Sequence, residues 1–399
     1  MTLTDPAAQA AQDSSEHGLG FDLGEELGLV RDEAKKFADD VLVPLAAKHD
    51  REGKIADDVY AKIAELGFWG LTIPEEYGGA GMGNKALVVV LEELNRACAA
   101  TGVAVSVHNS LTCGPLMKHG TDEQKQRWLP KLASGECIGA YSLSEAGSGS
   151  DAAALAATAT RDGDGWLLNG TKLWVTSGDR AGLILTYVRT NPDVPKAKGI
   201  TAFLIPGDAP GLKVGKHEMK PGIRGSATVA LVLDNVRLSD ADVLGEADRG
   251  FPIAMDTLDG GRIGIASQAV GIGQACLDAS IKYANEREQF GQPIGRFDAI
   301  QHKLADMSTR REASRLLVQR AAWLRDLGRD CNRASSEAKL MASTTANFCA
   351  DEALQIHGGA GYTDHFEVER LFRDARITEI YEGASDIQRL VIARALLRG

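Results

Sequence analysis

GWLLNGTKLWVTSG (165–178) and ATVALVLDNVRLS (227–239) decide how this chain of 399 residues is organised. Both are short, rich in β-branched and aromatic residues, and bounded by Gly, Asn or Asp, as strands are. LILTYVRT (183–190), KGITAFLIPG (198–207) and GLKVGKHEMK (211–220) lie between them and share that character. Short strands separated by turn residues predict an antiparallel β-domain over residues 137–248.

On both sides of this stretch the apolar period lengthens to three and four residues, the spacing of a helix with one buried face. Before it, over residues 24–136, come EELGLVRDEAKKFADDVLVPLAAKHD (25–50), ADDVYAKIAELGFWGL (56–71), KALVVVLEELNRACAATGVAVSVHNSLT (85–112) and TDEQKQRWLPKLASGE (121–136). The glycines of EEYGGAGMG (75–83) break the run into a loop. Thr121, with Gln124 three residues on, predicts a capped helix start. After it, over residues 249–399, helical patterns run through IGIASQAVGIGQACLDASIKYANERE (263–288), DAIQHKLADMSTRREASRLLVQRAAWLRDLG (298–328), SSEAKLMASTTANFCADEALQIHGG (335–359) and SDIQRLVIARALLRG (385–399).

Composition narrows the function. Hydrophobic residues at 44% and charged residues at 25% are those of a globular protein. No stretch reaches the roughly 20 apolar residues that cross a bilayer. A net charge of −11 disfavours nucleic acid and anionic membranes as main partners. The six cysteines are dispersed with no CxxC pair, so neither a metal cluster nor a disulfide framework is expected. Reduced thiols fit a cytoplasmic protein. Residues 1–23 lack an apolar signal core and an arginine-rich amphipathic pattern, and read as a disordered leader. The glycine segments match neither the dinucleotide fingerprint of a βαβ unit nor a P-loop.

Six segments carry a further signal: YSLSEAGSGSDAAA (141–154), LWVTSG (173–178), GGRIGIASQAVG (260–271), EREQFGQPIGRF (286–297), QIHGGAGY (355–362) and RDARITEIYEGASDIQRLVIAR (373–394). Together, and in this order, they resemble the acyl-CoA dehydrogenase family over nearly the whole chain from about residue 24. TGVAVSVHNSL (101–111) and LDGGRIGIASQ (258–268) are most similar to its short-chain members. The resemblance implies an α+β chain: an N-terminal helical domain, a middle antiparallel β-domain and a C-terminal four-helix bundle, assembled as a homotetramer that is a dimer of dimers. It also implies FAD as cofactor, an acyl-CoA substrate and an electron-transferring flavoprotein as electron acceptor.

Glu382 is the foremost candidate for catalysis. It stands between ITEIY (377–381) and ASDIQ (384–388), which suits a carboxylate presented from a loop. A base for an α-proton must sit within hydrogen-bond reach of it, and an apolar pocket raises a carboxyl toward working pH. On its own, Glu382 also reads as a first-turn helix carboxylate complementing the macrodipole. The matching glutamate of the family is the base. Some branched- and long-chain members carry it just before the arginine of the LDGGR helix; Gly261 stands there in this chain. By resemblance Asp259, Gly260, Gly261 and Arg262 contact substrate, as do Gly383 and Ser150. Read alone, GGR is equally a helix start with a tight bend.

The remaining roles also come from the resemblance. In YSLSEAGSGSD, Ser144 contacts the pyrimidine side of the flavin. Tyr141, Leu143 and Gly149 are further FAD contacts, and Ser150 lies near the pyrophosphate. Trp174 covers the ring, with Val175 beside it, and Thr176 hydrogen-bonds near N5. Taken alone, this Ser/Gly-rich segment is an ordinary turn. Arg287, Gln289 and Phe290 would hold the pyrophosphate and adenosine with Gln355, Ile356, Gly358 and Gly359. An arginine fork suits phosphate. In the family these groups come from the neighbouring subunit. Ala384, Ser385 and Asp386 follow the base as FAD contacts. The chain departs from the family pattern at His108, Ser142, Asp298, His365, Ala384 and Asp386. Substrates of roughly C4 to C6 are expected, with neighbouring lengths overlapping because one methylene is worth only about 1–3 kcal/mol.

Overall fold

The computed structural model describes residues 23–398; apart from Leu23, the expected leader lies outside them. The first helical region contains α1 (Gly24–Phe37), a π turn over Ala38–Leu42, α2 (Val43–Glu52), α3 (Asp57–Glu65), α4 (Gly83–Ala97), α5 (Ala99–Ser106), a second π turn over Val107–Cys113, α6 (Gly114–His119) and α7 (Asp122–Ala133). Thr121 caps α7 as expected: its hydroxyl accepts from the Gln124 N–H while the Gln124 side chain accepts from the Thr121 N–H. The apolar run at 85–112 is not one helix. Cys98 is extended (φ −151°, ψ 99°) and divides it. Its N–H ends α4 on the Leu94 carbonyl, and its own carbonyl opens α5 by accepting from Thr101 and Gly102.

An eight-stranded sheet follows: β1 (Ile138–Ser142), β2 (Thr158–Asp162), β3 (Gly165–Thr176), β4 (Ala181–Arg189), β5 (Ile200–Pro206), β6 (Leu212–His217), β7 (Thr228–Ser239) and β8 (Val243–Leu244). The order is β6-β7-β3-β2-β4-β5-β8, with β1 against β4. Pairing is antiparallel except that β1 runs parallel to β4, and β2 meets β4 in parallel at Thr158 and Arg189. Alternation along β4 and β5 places two cores on the two sheet faces. Leu183, Leu185, Tyr187, Ala202 and Leu204 pack with Leu116, Leu129, Leu132 and Ile253 from the helices. Ile184, Val188, Phe203 and Ile205 pack with Trp166, Val229 and Leu231.

The chain then forms α8 (Gly250–Glu286), a small hairpin β9 (Glu288–Gln289) and β10 (Gln292–Pro293), α9 (Asp298–Asp326), α10 (Asn332–His357), α11 (Val368–Ile377) and α12 (Ser385–Leu397). α8 has 37 residues and is buried nearly all round between Asp259 and Leu277, because α4, α9 and α10 all pack on it. The helix-start reading of GGR is therefore overturned: α8 begins at Gly250, and Gly260 and Gly261 lie inside it. No helix among the described residues is long and apolar enough to cross a membrane.

Candidate active site

Glu382 lies in the turn between α11 and α12. It adopts a left-handed conformation (φ +51°), and Gly383 follows at φ +92°. Two left-handed residues in succession turn the chain sharply, and the strain is held from outside. The Gly383 carbonyl accepts from Lys339 Nζ at 2.8 Å and from Gln388 Nε2 at 2.7 Å. Tyr381, just before Glu382, is anchored through its hydroxyl to Gln268 of α8. The Glu382 residue as a whole is half-buried, but its Oε2 is sealed from solvent and has no hydrogen-bond partner. Burial pushes the carboxyl up to about 7, and the charges of Lys339 and then Arg262 oppose the rise. A carboxyl titrating there is poised to accept a proton near neutral pH.

Gly261 faces this carboxylate across the helix junction. A methyl group at that position would collide with Glu382 Oε2 and come within 2.7 Å of Leu111 Cδ2. The missing side chain is what leaves room for the carboxylate. One residue on, Arg262 is buried and donates to Asp259 Oδ1 at 2.6 Å and to Ser336 Oγ at 3.4 Å, while its Nε lacks a partner. Asn332 also binds Asp259 Oδ1, at 2.9 Å. Beside Asp259 opens a cavity of about 450 Å³ whose lining includes Lys118, Asp256, Arg325 and Arg329.

The segment expected to face the flavin begins on β1. Tyr141 and Ser142 belong to that strand, and Leu143, Ser144, Gly149 and Ser150 continue as a loop. The loop is fastened to β3. Ser144 O accepts from Leu173 N–H at 2.9 Å. Lys172, with no exposed surface, donates to Leu143 O at 3.1 Å and to Glu145 Oε1 at 2.7 Å. Glu145 in turn accepts from the backbone of Ala156 and Ala157. A register shift in β3 between Lys172 and Val175 places Trp174 at φ +59°, with 56% of its surface exposed. Val175 points into the core and Thr176 is half-buried. Bulges of this kind re-aim a side chain.

The other expected FAD residues sit elsewhere. Arg287, Gln289 and Phe290 are exposed at the far end of α8, Phe290 by 95%. Gln355, Gly358 and Gly359 are exposed at the end of α10, with Ile356 buried beneath. His357, between them, stacks on Tyr283 at 4.2 Å. From Gly261 to Arg287 the helix runs about 39 Å at 1.5 Å per residue. One chain thus carries two separated sets, one around Glu382 and one around Arg287. Ala384 and Ser385 follow Glu382 directly in the turn, whereas Asp386 is exposed and paired with Arg389 at 2.9 Å. Asp298 opens α9, where a carboxylate complements the helix dipole. His365 is exposed. His108 is fully buried and its Nδ1 accepts from the Gly139 N–H at 3.0 Å, tying the second π turn to β1.

Sequence reasoning missed Lys339, Gln388 and the Glu145–Lys172 pair. For Lys339 a signal existed: Ser335, Ser336, Ala342, Ser343 and Ala346 lie at helical spacing around it, and a lysine on a stripe of small residues marks close burial.

Helices and sheet thus surround a buried carboxylate oxygen that has no hydrogen-bond partner. Comparison with known proteins names the kind of protein. The chain belongs to the acyl-CoA dehydrogenase family: the family's N-terminal domain matches residues 24–136, its middle domain residues 140–236 and its C-terminal domain residues 248–397. It is 48% identical over 377 residues to the short-chain specific mitochondrial acyl-CoA dehydrogenase of Mus musculus, covering 94% of this chain and 91% of that one. It is 43% identical to a 3-(aryl)acrylate reductase of Clostridium sporogenes, covering 94% and 99%. The structure of butyryl-CoA dehydrogenase from Megasphaera elsdenii superposes with a TM-score of 0.93 at 37% identity, over 95% of this chain and all of that one.

Proposed function

We propose that this chain removes an α-proton and a β-hydride from a short acyl-CoA thioester to form the 2-enoyl-CoA, with Glu382 as the base and FAD as cofactor. The observation that carries the reading is the Glu382 carboxylate, sealed and unpaired against Gly261. The residues fit a flavin: Trp174 stands exposed, Gly147 and Gly149 leave open space over their backbone, and the buried Ser142 hydroxyl lacks a partner. FAD, when bound, accepts the hydride. Glu382 takes the α-proton, and the Cα–H electron pair forms the double bond as the β-hydride leaves. Charge developing on the thioester oxygen is met by the backbone N–H of Glu382, which makes no hydrogen bond among the described residues. Asp259, Gly260, Gly261, Arg262, Ser150 and Gly383 border the substrate. Lys118, Arg325 and Arg329 around the neighbouring cavity suit the phosphates of its carrier. An electron-transferring flavoprotein is the proposed acceptor.

Anaerobic mixing with straight-chain acyl-CoAs tests substrate length. We expect the flavin to bleach, with kcat/KM greatest near C4 to C6 and neighbouring lengths within about 10- to 200-fold, the worth of one methylene. An optimum at roughly C10 or beyond would overturn the short-chain assignment. Reoxidation that is slow in air and fast with the flavoprotein supports the acceptor; fast reoxidation in air makes the protein an oxidase.

The 39 Å between the two residue sets exceeds what one nucleotide cofactor beside Glu382 spans, so we assign Arg287, Gln289, Phe290 and the Gln355–Gly359 segment to the site of a neighbouring subunit in a dimer of dimers. Arg287→Ala is expected to lower FAD retention and, with it, oligomer stability. A fully flavinated monomer of 42.4 kDa by light scattering would contradict the shared site.

A further inference from the structure

Lys339 lies in α10 with none of its surface exposed, and no carboxylate among the described residues lies within salt-bridge distance of it. Its ammonium instead donates to the carbonyl of Gly383, the residue after the base, at 2.8 Å. Burying a charged lysine is costly, and a carbonyl that needed only a donor already has one in Gln388 at 2.7 Å. The charge itself therefore calls for an explanation. Facing Glu382 are Lys339 from α10, Arg262 from α8 and the hydroxyls of Tyr141 from β1 and Tyr381 from its own turn; facing Lys339 are Glu382, Glu379 and Arg262.

We propose that Lys339 is a positioning residue for the base: it holds the left-handed Glu382–Gly383 turn through the Gly383 carbonyl and supplies the positive charge that sets the proton affinity of the Glu382 carboxylate. The proposal rests on reading Glu382 as the base. Electrostatics agree with the geometry. Burial draws the Lys339 ammonium down to about 8 against the pull of Glu382, and Lys339 is the larger of the two cationic influences on the carboxyl. Burial holds the Tyr141 and Tyr381 hydroxyls well above their ordinary value, so both stay neutral. Removing the lysine charge leaves Arg262 as the remaining cation facing the carboxylate, and the Glu382 pKa must rise.

The test measures flavin reduction by butyryl-CoA, anaerobically and across neutral pH, in the flavinated parent, Lys339→Gln and Lys339→Met. Both side chains are one atom shorter than lysine and equal in reach; glutamine keeps a donor for the Gly383 carbonyl without the charge, and methionine loses both. Both variants should move the midpoint of the rate–pH curve upward by about one unit or more. At high pH the Gln variant should return to within a few-fold of the parent, and the Met variant should remain about ten-fold lower because the turn has lost a donor. Glu382→Gln is run alongside. If it is inactive and the two Lys339 variants keep the parental midpoint, losing rate equally at every pH, the proposal is overturned and the base stands. If Glu382→Gln reduces flavin at the parental rate, the base reading falls and this proposal with it. Should the Met variant not fold, the midpoint of the Gln variant decides alone.

Discussion

Glu382→Gln is expected to lower flavin reduction by acyl-CoA about a thousand-fold or more while FAD and substrate stay bound. Glutamine matches glutamate in volume, so the space opposite Gly261 stays filled and the turn keeps its shape. The Gly383 carbonyl still accepts from Lys339 and Gln388. What disappears is the proposed proton acceptor. In the parent, the rate should rise with pH through about 7, because the ionised carboxylate is the active form and burial has raised its pKa to that point. The variant should show no such limb. Stopped-flow absorbance of the flavin measures both, and a variant that bleaches at near the parental rate would send the search for the base elsewhere. It would not be found at 261, which is glycine.

Lys172→Met should cost about 3–5 kcal/mol of stability in urea unfolding, because it strands a buried carboxylate. Glu145 and Lys172 are paired at 2.7 Å with almost no exposed surface. Glu145 would keep the backbone donors of Ala156 and Ala157 but lose its only charged partner within salt-bridge distance among the described residues. The loss would also reach the loop proposed to face the flavin, since Lys172 binds Leu143 O directly. FAD affinity should therefore fall together with the unfolding midpoint. Replacing both partners by apolar residues of similar size should recover much of the stability. A single Lys172→Met variant as stable as the parent would show that the pair contributes little.

Much of the architecture was legible because periodicity reports it directly. The strands from Gly165 to Ser239 alternate or are bounded by turn residues, and the helices carry three- and four-residue spacing. β1 and β2 escaped notice for opposite reasons. IGAYS is buried on both faces and shows no alternation, while TATRD is largely exposed and polar. The break at Cys98 was invisible because apolar residues continue through it. In the site, Glu382 and Gly261 could be singled out because each belongs to a short segment that resembles the acyl-CoA dehydrogenase family. Glu145 and Lys172 could not, since they are 27 positions apart and each looks like a surface residue until the loop folds back on β3. The left-handed turn at Glu382 was foreseeable only in part: Gly383 hints at a turn, but a glutamate at positive φ is held there by Lys339 and Gln388, which come from α10 and α12.

The length of α8 has a consequence for inheritance. In an assembly built as proposed, this one helix serves two reaction centres, its Gly261 end in its own subunit and its Arg287 end in a neighbour's. Damage near Gly261 stays private to the subunit that carries it. Damage near Arg287 is exported to a partner that is itself intact. When two versions of the chain are made in one cell, lesions at opposite ends of the same helix can therefore compensate, because a mixed pair concentrates both faults in one centre and leaves the other whole. Lesions at the same end cannot. The helix that gives the subunit its core thus also decides whether a defect behaves as a property of the chain or of the company it keeps.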